Sequence, residues 1–301
     1  MNKIPFDLDI NDLIDDLRNF SWEAAEILFY YSGMLKEGKN KRNIIKSQLG
    51  EDPVTLADLK VNELIIRRIN DKYGKYNWGI LSEESYKLNR EILETKSDWE
   101  WIIDPLDGTK DFIQGTGNYA MHLALNYKNR PYLGIVLIPE KNELWISNGK
   151  TLRCEKNDGS AYQLLERPRN KTINEMTFVC SKNHRNKILE RIVEKMNFKK
   201  VNIMGSVGCK IASIIRGDSD IYIALSLPGQ SAPKDWDFAA PEAILRAAGG
   251  ALTYLNNEDL IYNQNNFEQR GIIIATNNKE THAIKCSQVK EIINEFNLIP
   301  S

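Results

Sequence analysis

The sequence predicts a two-lobed protein of mixed helices and strands, of the α+β or α/β class. Apolar residues recur at helical spacing near the N-terminus, alternate as in antiparallel strands through the middle, and then form short strand-like runs between helical segments. A length of 301 residues allows two domains or lobes. We expect an N-terminal α+β lobe at 1–174 and a C-terminal α/β lobe at 175–301.

Two amphipathic helices are expected at the start of the chain. The first begins near Ile10 and ends near Gly33. The second follows Pro53, and Thr55 is its expected N-cap. Because each helix has a single apolar stripe, we expect the two to pack together.

The middle of the chain has the alternating pattern of strands. One strand begins at Trp99 and ends at Asp104-Pro105, where the proline has no amide hydrogen for a sheet ladder. Three further strands follow after short turns, at Tyr119–Tyr127, Tyr132–Ile138 and Leu144–Ser147. Short turns between such strands predict an antiparallel meander.

Strands and helices alternate in the second half of the chain. Strands are expected at Phe178–Cys180, Ile221–Leu225 and Ile272–Ala275. Helices are expected at Ser206–Arg216 and Asp237–Ala248, since each is followed by a glycine.

Composition excludes several classes of protein. The 40 basic and 41 acidic residues give a net charge of -1, which does not indicate a nucleic-acid partner. The N-terminus lacks the pattern of a secretion signal, and no apolar run approaches the roughly 20 residues that cross a bilayer. Four widely spaced cysteines are expected to be reduced thiols, mostly buried. We therefore expect a cytoplasmic protein without a membrane partner.

The segment from Trp101 to Phe112 carries the strongest chemical signal. Asp104 and Asp107 stand three residues apart at a strand end, so both carboxylates can point toward one place, and the Leu106 carbonyl can join them. Oxygen ligands of this kind suit magnesium. The alternative is a simple turn, because aspartate beside proline and glycine is common in turns.

Three other acidic residues permit a structural or a functional interpretation. Glu83 follows a short apolar stretch and is a surface charge or a ligand at a second strand end. Asp58 stands three residues after Thr55, which is the spacing of a capping box. Asp237 begins an expected helix and suits an N-cap, a position that is also compatible with metal binding.

Taken in order, four segments resemble the lithium-sensitive, magnesium-dependent phosphatases of the inositol monophosphatase superfamily. They are Asp52–Asp58, Ser82–Ser85, Trp101–Phe112 and Trp236–Pro241, the last leading to Ala248-Gly249-Gly250. The resemblance implies a layered αβαβα sandwich of the inositol monophosphatase type. It implies two or three Mg2+ ions held by Glu83, Asp104, the Leu106 carbonyl, Asp107 and Asp237. Asp58 and Thr109 would then be the catalytic pair that orients a metal-activated water.

Within that superfamily, Lys110-Asp111-Phe112 is most similar to the 3'(2'),5'-bisphosphate nucleotidases (CysQ-like), which show Lys-Glu-Phe there. Asp111 in place of glutamate and Ser82 in place of a frequent glycine are departures that make the choice of subfamily less specific. The resemblance places substrate contacts at five residues: Gly108, Ser181, His184, Ser206 and Lys210. A glycine-containing turn at the start of a helix suits a phosphate, although it also occurs as an ordinary helix start with a surface lysine.

The expected activity is hydrolysis of the 3'-phosphate of 3'-phosphoadenosine 5'-phosphate to AMP. Two alternatives stay open within the same chemistry, namely inositol monophosphatase and sugar-bisphosphate phosphatase. An alternative of another class is a catalytically silent nucleotide or metal sensor, which has no need of the water-orienting Asp58 and Thr109. The expected oligomeric state is a monomer or a homodimer.

Overall fold

The protein was analysed as a computed structural model. The structure describes Pro5 and residues 7–38, 44–49, 52–88, 97–162, 170–181 and 187–298. The helices are α1 (Ile10–Lys36), α2 (Leu56–Tyr73), α3 (Glu83–Lys87), α4 (Thr109–Gln114), α5 (Lys187–Met196), α6 (Val207–Arg216), α7 (Asp235–Ala247) and α8 (Lys279–Glu295). Single turns of 3-10 helix lie at Gly74–Tyr76, Pro139–Lys141, Ile173–Glu175 and Asn265–Phe267.

The strands form one small and two large sheets. The first strands are β1 (Ile45–Leu49), β2 (Asp52–Thr55), β3 (Gly79–Ser82), β4 (Trp99–Asp107), β5 (Ala120–Tyr127), β6 (Pro131–Ile138), β7 (Glu143–Ser147) and β8 (Leu152–Glu155). The later strands are β9 (Thr177–Cys180), β10 (Lys200–Ile203), β11 (Ile221–Ser226), β12 (Ala251–Tyr254) and β13 (Gly271–Thr276). The small sheet is the antiparallel pair β1 and β2.

The two large sheets differ in topology. The first has six strands in the order β3-β4-β5-β6-β7-β8, and all its pairs are antiparallel except β3 with β4. The second has five strands in the order β10-β9-β11-β13-β12 and mixes parallel with antiparallel pairs. The predicted antiparallel meander is the run from β5 to β7, and β8, which was not predicted, extends it by one strand.

Alternation along the central strands sorts the core into layers. On β4, Trp101 and Ile103 pack with α1 and α2, while Ile102 faces the opposite side. Helices α6 and α7 lie on that opposite side, between the two large sheets. Helices α5 and α8 cover the outer face of the second sheet. The order helix, sheet, helix, sheet, helix confirms the layered αβαβα fold.

Small residues on the inner face of the first sheet admit α7 at close range. A Cβ atom at Gly134 on β6 would lie only 2.5 Å from the Cβ of Ala243 on α7. Ala120 and Ala124 of β5 face the same helix layer. This packing explains the alternation of large and small residues along β5, and it brings the start of α7 against the end of β4.

Most predicted elements are present with boundaries shifted by a few residues. Thr55 caps α2 through the expected capping box with Asp58. The strand at Trp99 continues beyond the predicted stop, because an irregularity between Asp104 and Asp107 lets β4 rejoin β5 after Pro105. The free cysteines are Cys154, Cys180, Cys209 and Cys286, and all four are buried as expected.

The lobe boundary at Asn174 stays a prediction. It falls between the strands of the first sheet and those of the second. However, α6 and α7 follow the boundary in sequence and pack on both sheets, so the two segments share one core layer. Among the described helices, none is long and apolar enough to span a bilayer.

Candidate metal centre and substrate cleft

A cleft of about 310 Å3 lies where the ends of β4, α6 and α7 meet. Its walls include most of the residues expected at the site. They are Glu83, Asp104, Leu106, Asp107, Gly108, Thr109, Ser181, Lys210 and Asp237. The chain thus gathers into one concave surface residues that lie more than 150 positions apart in the sequence.

Asp104 and Asp107 enter the cleft from the irregular end of β4. Asp104 is buried, and its Oδ1 accepts a hydrogen bond from the Leu106 amide at 3.0 Å. This bond holds the short turn through Pro105, so the turn interpretation is correct for Asp104. The same turn directs the Leu106 carbonyl toward the Thr109 hydroxyl, which donates to it at 3.1 Å. Turn formation and presentation of oxygen atoms therefore occur together.

Asp107 lies against the N-terminus of α6. Its Oδ2 accepts hydrogen bonds from the Ser206 hydroxyl at 2.6 Å, from the Gly208 amide at 3.3 Å, and from the Val207 amide. Ser206 also caps α6, because its hydroxyl oxygen accepts from the Cys209 amide. The first amides of a helix favour an anion. The Asp107 carboxylate, which belongs to the first sheet, therefore binds the partial positive charge at the N-terminus of α6.

Asp237 comes from the first turn of α7. The predicted N-cap role is wrong, because Lys234 is the N-cap and Asp237 is the third residue of the helix. The Oδ2 atom of Asp237 accepts a hydrogen bond from the Lys234 amide at 2.6 Å. One oxygen of Asp237, one of Asp104 and one of Asp107 all lie within 4.8 Å of one another. Three carboxylate oxygens at this spacing fit a hard divalent cation such as Mg2+. The donor set is therefore suited to a metal.

Glu83 lies beside this trio, where it raises the pKa of Asp104, and it also pairs with a lysine. Glu83 begins α3, and its Oε1 is 2.7 Å from the Nζ of Lys87, one helical turn later. The Lys87 ammonium is also 3.5 Å from Oε1 of the buried Glu84. Burial lowers the pKa of Lys87, but Glu83 and Glu84 oppose this and leave it above its ordinary value. Lys87 is therefore a permanent cation at the edge of the carboxylate cluster.

Asp58 and Thr109 are close enough to act as a pair. The Thr109 hydroxyl lies 3.3 Å from Oδ1 of Asp58, while Oδ2 of Asp58 accepts from the amide and hydroxyl of Thr55. Capping α2 thus uses one carboxylate oxygen and leaves the other for Thr109. Burial raises the pKa of Asp58 to about 7, with Glu83 adding to the rise and Thr55 opposing it.

Burial raises the pKa values of the clustered carboxylates most, and mutual repulsion adds to the rise. Burial raises the pKa of Asp104 well above its ordinary value, and the charges of Glu83, Asp107 and Asp237 raise it further. Burial likewise raises the pKa of Asp237, reinforced by Asp107. Such a site binds either protons or cations at neutral pH. A divalent ion removes the conflict between the carboxylates.

The expected substrate contacts are only partly described. Lys210 is buried, its Nζ donates to the Gly205 carbonyl at 2.7 Å, and it lies 5.2 Å from the ring centre of Tyr222. Lys210 is thus a buried side chain on the cleft wall and not a surface lysine; burial lowers its pKa, and the charge of Asp107 opposes this. Ser181 lines the cleft, whereas His184 lies outside the described residues.

The backbone conformation at position 108 and its close contacts require a glycine. Gly108 has a φ of 88°, and a Cβ there would lie 2.9 Å from the Asn118 carbonyl oxygen and 3.2 Å from the Ser206 amide nitrogen. A larger residue would push the Asp107 turn away from α6. Gly108 therefore lets the two halves of the cleft approach each other.

Comparison with known proteins agrees with this geometry. A model of the inositol monophosphatase family matches residues 14–294. The chain belongs to the inositol monophosphatase family. It is accordingly a phosphatase of this metal-dependent family, acting on small phosphorylated compounds, and an acidic cluster is present in its cleft.

Relatives of this family phosphatase carry more than one name. The 3'(2'),5'-bisphosphate nucleotidase 1 of Mus musculus is 29% identical over 85% of this chain and 88% of its own length. The 3'(2'),5'-bisphosphate nucleotidase CysQ of Aggregatibacter actinomycetemcomitans is 28% identical over 84% and 88%. The Nus factor SuhB of Pasteurella multocida is 29% identical over 74% and 80%.

Solved structures share the fold of this phosphatase. An IMPase of Thermotoga maritima matches with a TM-score of 0.68 and 23% identity, covering 94% of this chain and 99% of its own. CysQ from Bacteroides thetaiotaomicron matches with a TM-score of 0.68 and 24% identity, covering 90% and 99%. These likenesses confirm the sandwich architecture.

The sequence analysis does not single out two residues beside the carboxylate cluster of this phosphatase. Lys87 stands four positions after Glu83, which is the spacing of a helical ion pair, but its place beside the cluster depends on the fold. His122 is buried opposite Asp104 on β5, with Nε2 3.3 Å from Oδ2 of Asp107. Its Nδ1 lies 3.2 Å from the Trp236 carbonyl. His122 lies beside the aspartates because of the register between β4 and β5, and the sequence of a single strand does not show its register.

Proposed function

We propose that this phosphatase hydrolyses the 3'-phosphate of 3'-phosphoadenosine 5'-phosphate to AMP, in a magnesium-dependent and lithium-sensitive reaction. One observation carries the proposal. The cleft holds a carboxylate cluster suited to cations and, beside it on α6, the buried side chain of Lys210. That pairing suits a substrate with one phosphate to be cleaved and a second to be recognised. The names of several relatives support the same substrate.

Glu83, Asp104, the Leu106 carbonyl, Asp107 and Asp237 would hold two or three Mg2+ ions. When bound, such ions supply positive charge at the ester phosphate and lower the pKa of water. The protein contributes geometry, because hydrogen bonds fix three of the carboxylates before any cation arrives. These bonds are Leu106 to Asp104, α6 to Asp107, and Lys234 to Asp237.

Asp58 and Thr109 would orient the attacking water. When the Thr109 hydroxyl donates its one hydrogen to Asp58 instead of to the Leu106 carbonyl, its oxygen can accept a hydrogen bond from the water. A carboxylate with a pKa of about 7 is suited to take up a proton near neutral pH. This arrangement supports a catalyst and not a passive sensor, because binding alone requires no oriented water.

Gly108, Ser181, His184, Ser206 and Lys210 would contact the substrate. Ser206 donates its hydroxyl to Asp107 and its amide to the Asn118 carbonyl, so a contact with a phosphate would require one of these hydrogen bonds to be exchanged. Lys210 has one of its three ammonium hydrogens on Gly205, which leaves two for an anion. We place the second phosphate beside Lys210. Cytoplasmic location and a monomeric or homodimeric state complete the proposal.

A panel of phosphate esters tests the proposal. The panel contains 3'-phosphoadenosine 5'-phosphate, inositol 1-phosphate, fructose 1,6-bisphosphate and AMP, each assayed for phosphate release with Mg2+, with Ca2+, with added Li+ and with excess EDTA. We expect the first ester to have the highest kcat/KM, with activity lost in EDTA and reduced by Li+. A higher kcat/KM for inositol 1-phosphate would show that the proposed substrate is wrong. Equal phosphate release in EDTA would overturn the metal mechanism.

A further inference from the structure

Glu83 and the aspartate trio differ in how they are held. Asp104, Asp107 and Asp237 present oxygens to a common point within 4.8 Å, and Glu83 is not a member of that group. The Glu83 carboxylate instead forms an ion pair of 2.7 Å with Lys87. Both side chains are largely enclosed, with 17% of Glu83 and 21% of Lys87 exposed. An enclosed pair of this kind is screened only weakly by solvent.

We propose that Lys87 is a built-in counter-cation that occupies Glu83 when no metal is bound and competes with divalent ions for it. The inference rests on the proposed metal centre. Glu83 then has two alternative partners, the ammonium of its own helix and a metal ion at the trio. Lys87 thereby sets the concentration of divalent ion at which the site fills.

The surroundings of Lys87 favour this role over contact with the substrate. Its ammonium lies between two carboxylates, at 2.7 Å from Glu83 and 3.5 Å from Glu84. Oε1 of the buried Glu84 has no hydrogen-bond donor among the described residues, so the ammonium is the charge that compensates it. When a metal ion takes Glu83, Lys87 keeps Glu84 as a partner. The ammonium therefore has a place in both states.

Coulomb's law gives the direction of the effect. A positive charge within a few ångströms of a cation site weakens cation binding, and partial burial preserves the repulsion. Removing the charge should therefore tighten binding of a divalent ion by about tenfold or more. The same change should lower the thermal stability of the metal-free protein, since Glu83 and Glu84 lose their counter-ion.

Manganese binding tests the inference without reference to turnover. Free Mn2+ is measured by electron paramagnetic resonance during titration of the wild-type protein, Lys87→Met and Lys87→Gln. Lys60→Met is the matched control, because Lys60 forms a 2.7 Å helical ion pair with Glu63 on an exposed surface. We expect the two neutral Lys87 variants to bind Mn2+ about tenfold more tightly, and Lys60→Met to bind like the wild type.

The outcomes separate this inference from the proposed function. Absence of Mn2+ binding by the wild type would remove the metal centre itself. Binding by the wild type with unchanged or weaker binding by both Lys87 variants would overturn only the role of Lys87. A raised KM for the substrate with unchanged Mn2+ affinity would likewise overturn it and place Lys87 on the substrate. Circular dichroism confirms that each variant is folded.

Discussion

Individual residues in this cleft serve the fold and the site with the same atoms. Asp104 closes a turn, Asp237 accepts from the amide of the N-cap residue of α7, and Asp58 completes the capping box of α2. The structural and functional interpretations of these aspartates are therefore not alternatives. Each residue keeps one oxygen for its local hydrogen bond and has another available for the cleft. This division of labour makes conservative substitutions informative.

Asp104→Asn should separate the two roles. The amide oxygen can still accept from Leu106, so the turn survives, but the negative charge is lost. We expect turnover to fall more than about 100-fold, while the melting temperature of the metal-free protein stays equal or rises because carboxylate repulsion is relieved. Steady-state kinetics at saturating Mg2+ and calorimetry in EDTA measure the two effects. Retained turnover at saturating Mg2+ would contradict the role of Asp104.

Lys210→Met should affect binding more than chemistry. The substitution keeps the length of the side chain inside the cleft wall and removes its charge. If Lys210 contacts the second phosphate, KM for 3'-phosphoadenosine 5'-phosphate should rise about tenfold or more with a smaller change in kcat. A substrate with a single phosphate serves as the control. An equal rise in KM for both substrates would argue against a second phosphate at Lys210.

At the scale of elements, the contact of Asp107 with α6 joins the two large sheets. The carboxylate comes from the last residue of β4, and its donors are Ser206 and the first amides of α6. Gly108 permits this close approach. The helix start thus stabilises a charge that the proposed function assigns to a metal ligand.

Ser206→Ala should weaken both the helix and the metal centre. Loss of an N-cap costs about 1 kcal/mol, and Asp107 loses a donor that fixes its orientation. We expect Mg2+ affinity to fall about tenfold. Asn278→Ala is the matched control, because Asn278 caps α8 through the Glu280 amide, far from the cleft. Similar loss of stability in both variants, with weaker Mg2+ binding only in Ser206→Ala, is the expected result of calorimetry and titration.

Local sequence patterns predicted the helices and strands themselves better than they predicted which of these elements contact each other. The apolar stripes of α1 and α2 and the alternation along β5 were sufficient to predict these elements, because burial of one face makes apolar residues recur at the period of a helix or a strand. Strands β10 and β12 were not predicted, since each has only four residues and β10 is a largely exposed edge strand. The acidic residues of the cleft were identified by family resemblance. Lys87 and His122 depend on how β3, β4 and β5 meet, which a single sequence does not state.

At the scale of the whole molecule, the fold encloses more negative charge than its own cations balance. Asp58 and Glu84 each have a pKa raised to about 7, chiefly by burial, and Asp104 and Asp237 are raised further above their ordinary values. In the unfolded chain these groups ionise near pH 4. Their protonated forms therefore favour folding at low pH, and this contribution is lost as pH rises through the folded-state pKa values.

Stability without metal should therefore fall as pH rises from 6.5 to 8.5. We expect the free energy of unfolding in EDTA to drop by about 2 kcal/mol or more over this range. In millimolar Mg2+ the fall should be much smaller, because the cation binds only the folded state with its ionised carboxylates. Urea denaturation at each pH, with and without Mg2+, measures the difference. Equal slopes under both conditions would show that the buried acids are not compensated by the ion.

The hydrogen bonds from α6 to Asp107 also bear on the order in which the protein folds and binds its metal ions. Because the hydrogen-bond donors to Asp107 belong to the protein itself, this carboxylate can be enclosed during folding without a bound metal ion. A newly synthesised copy can thus complete its core first and collect its ions afterwards. Ion supply would then govern how many copies are active at a given moment and, at alkaline pH, how firmly the folded copies resist unfolding.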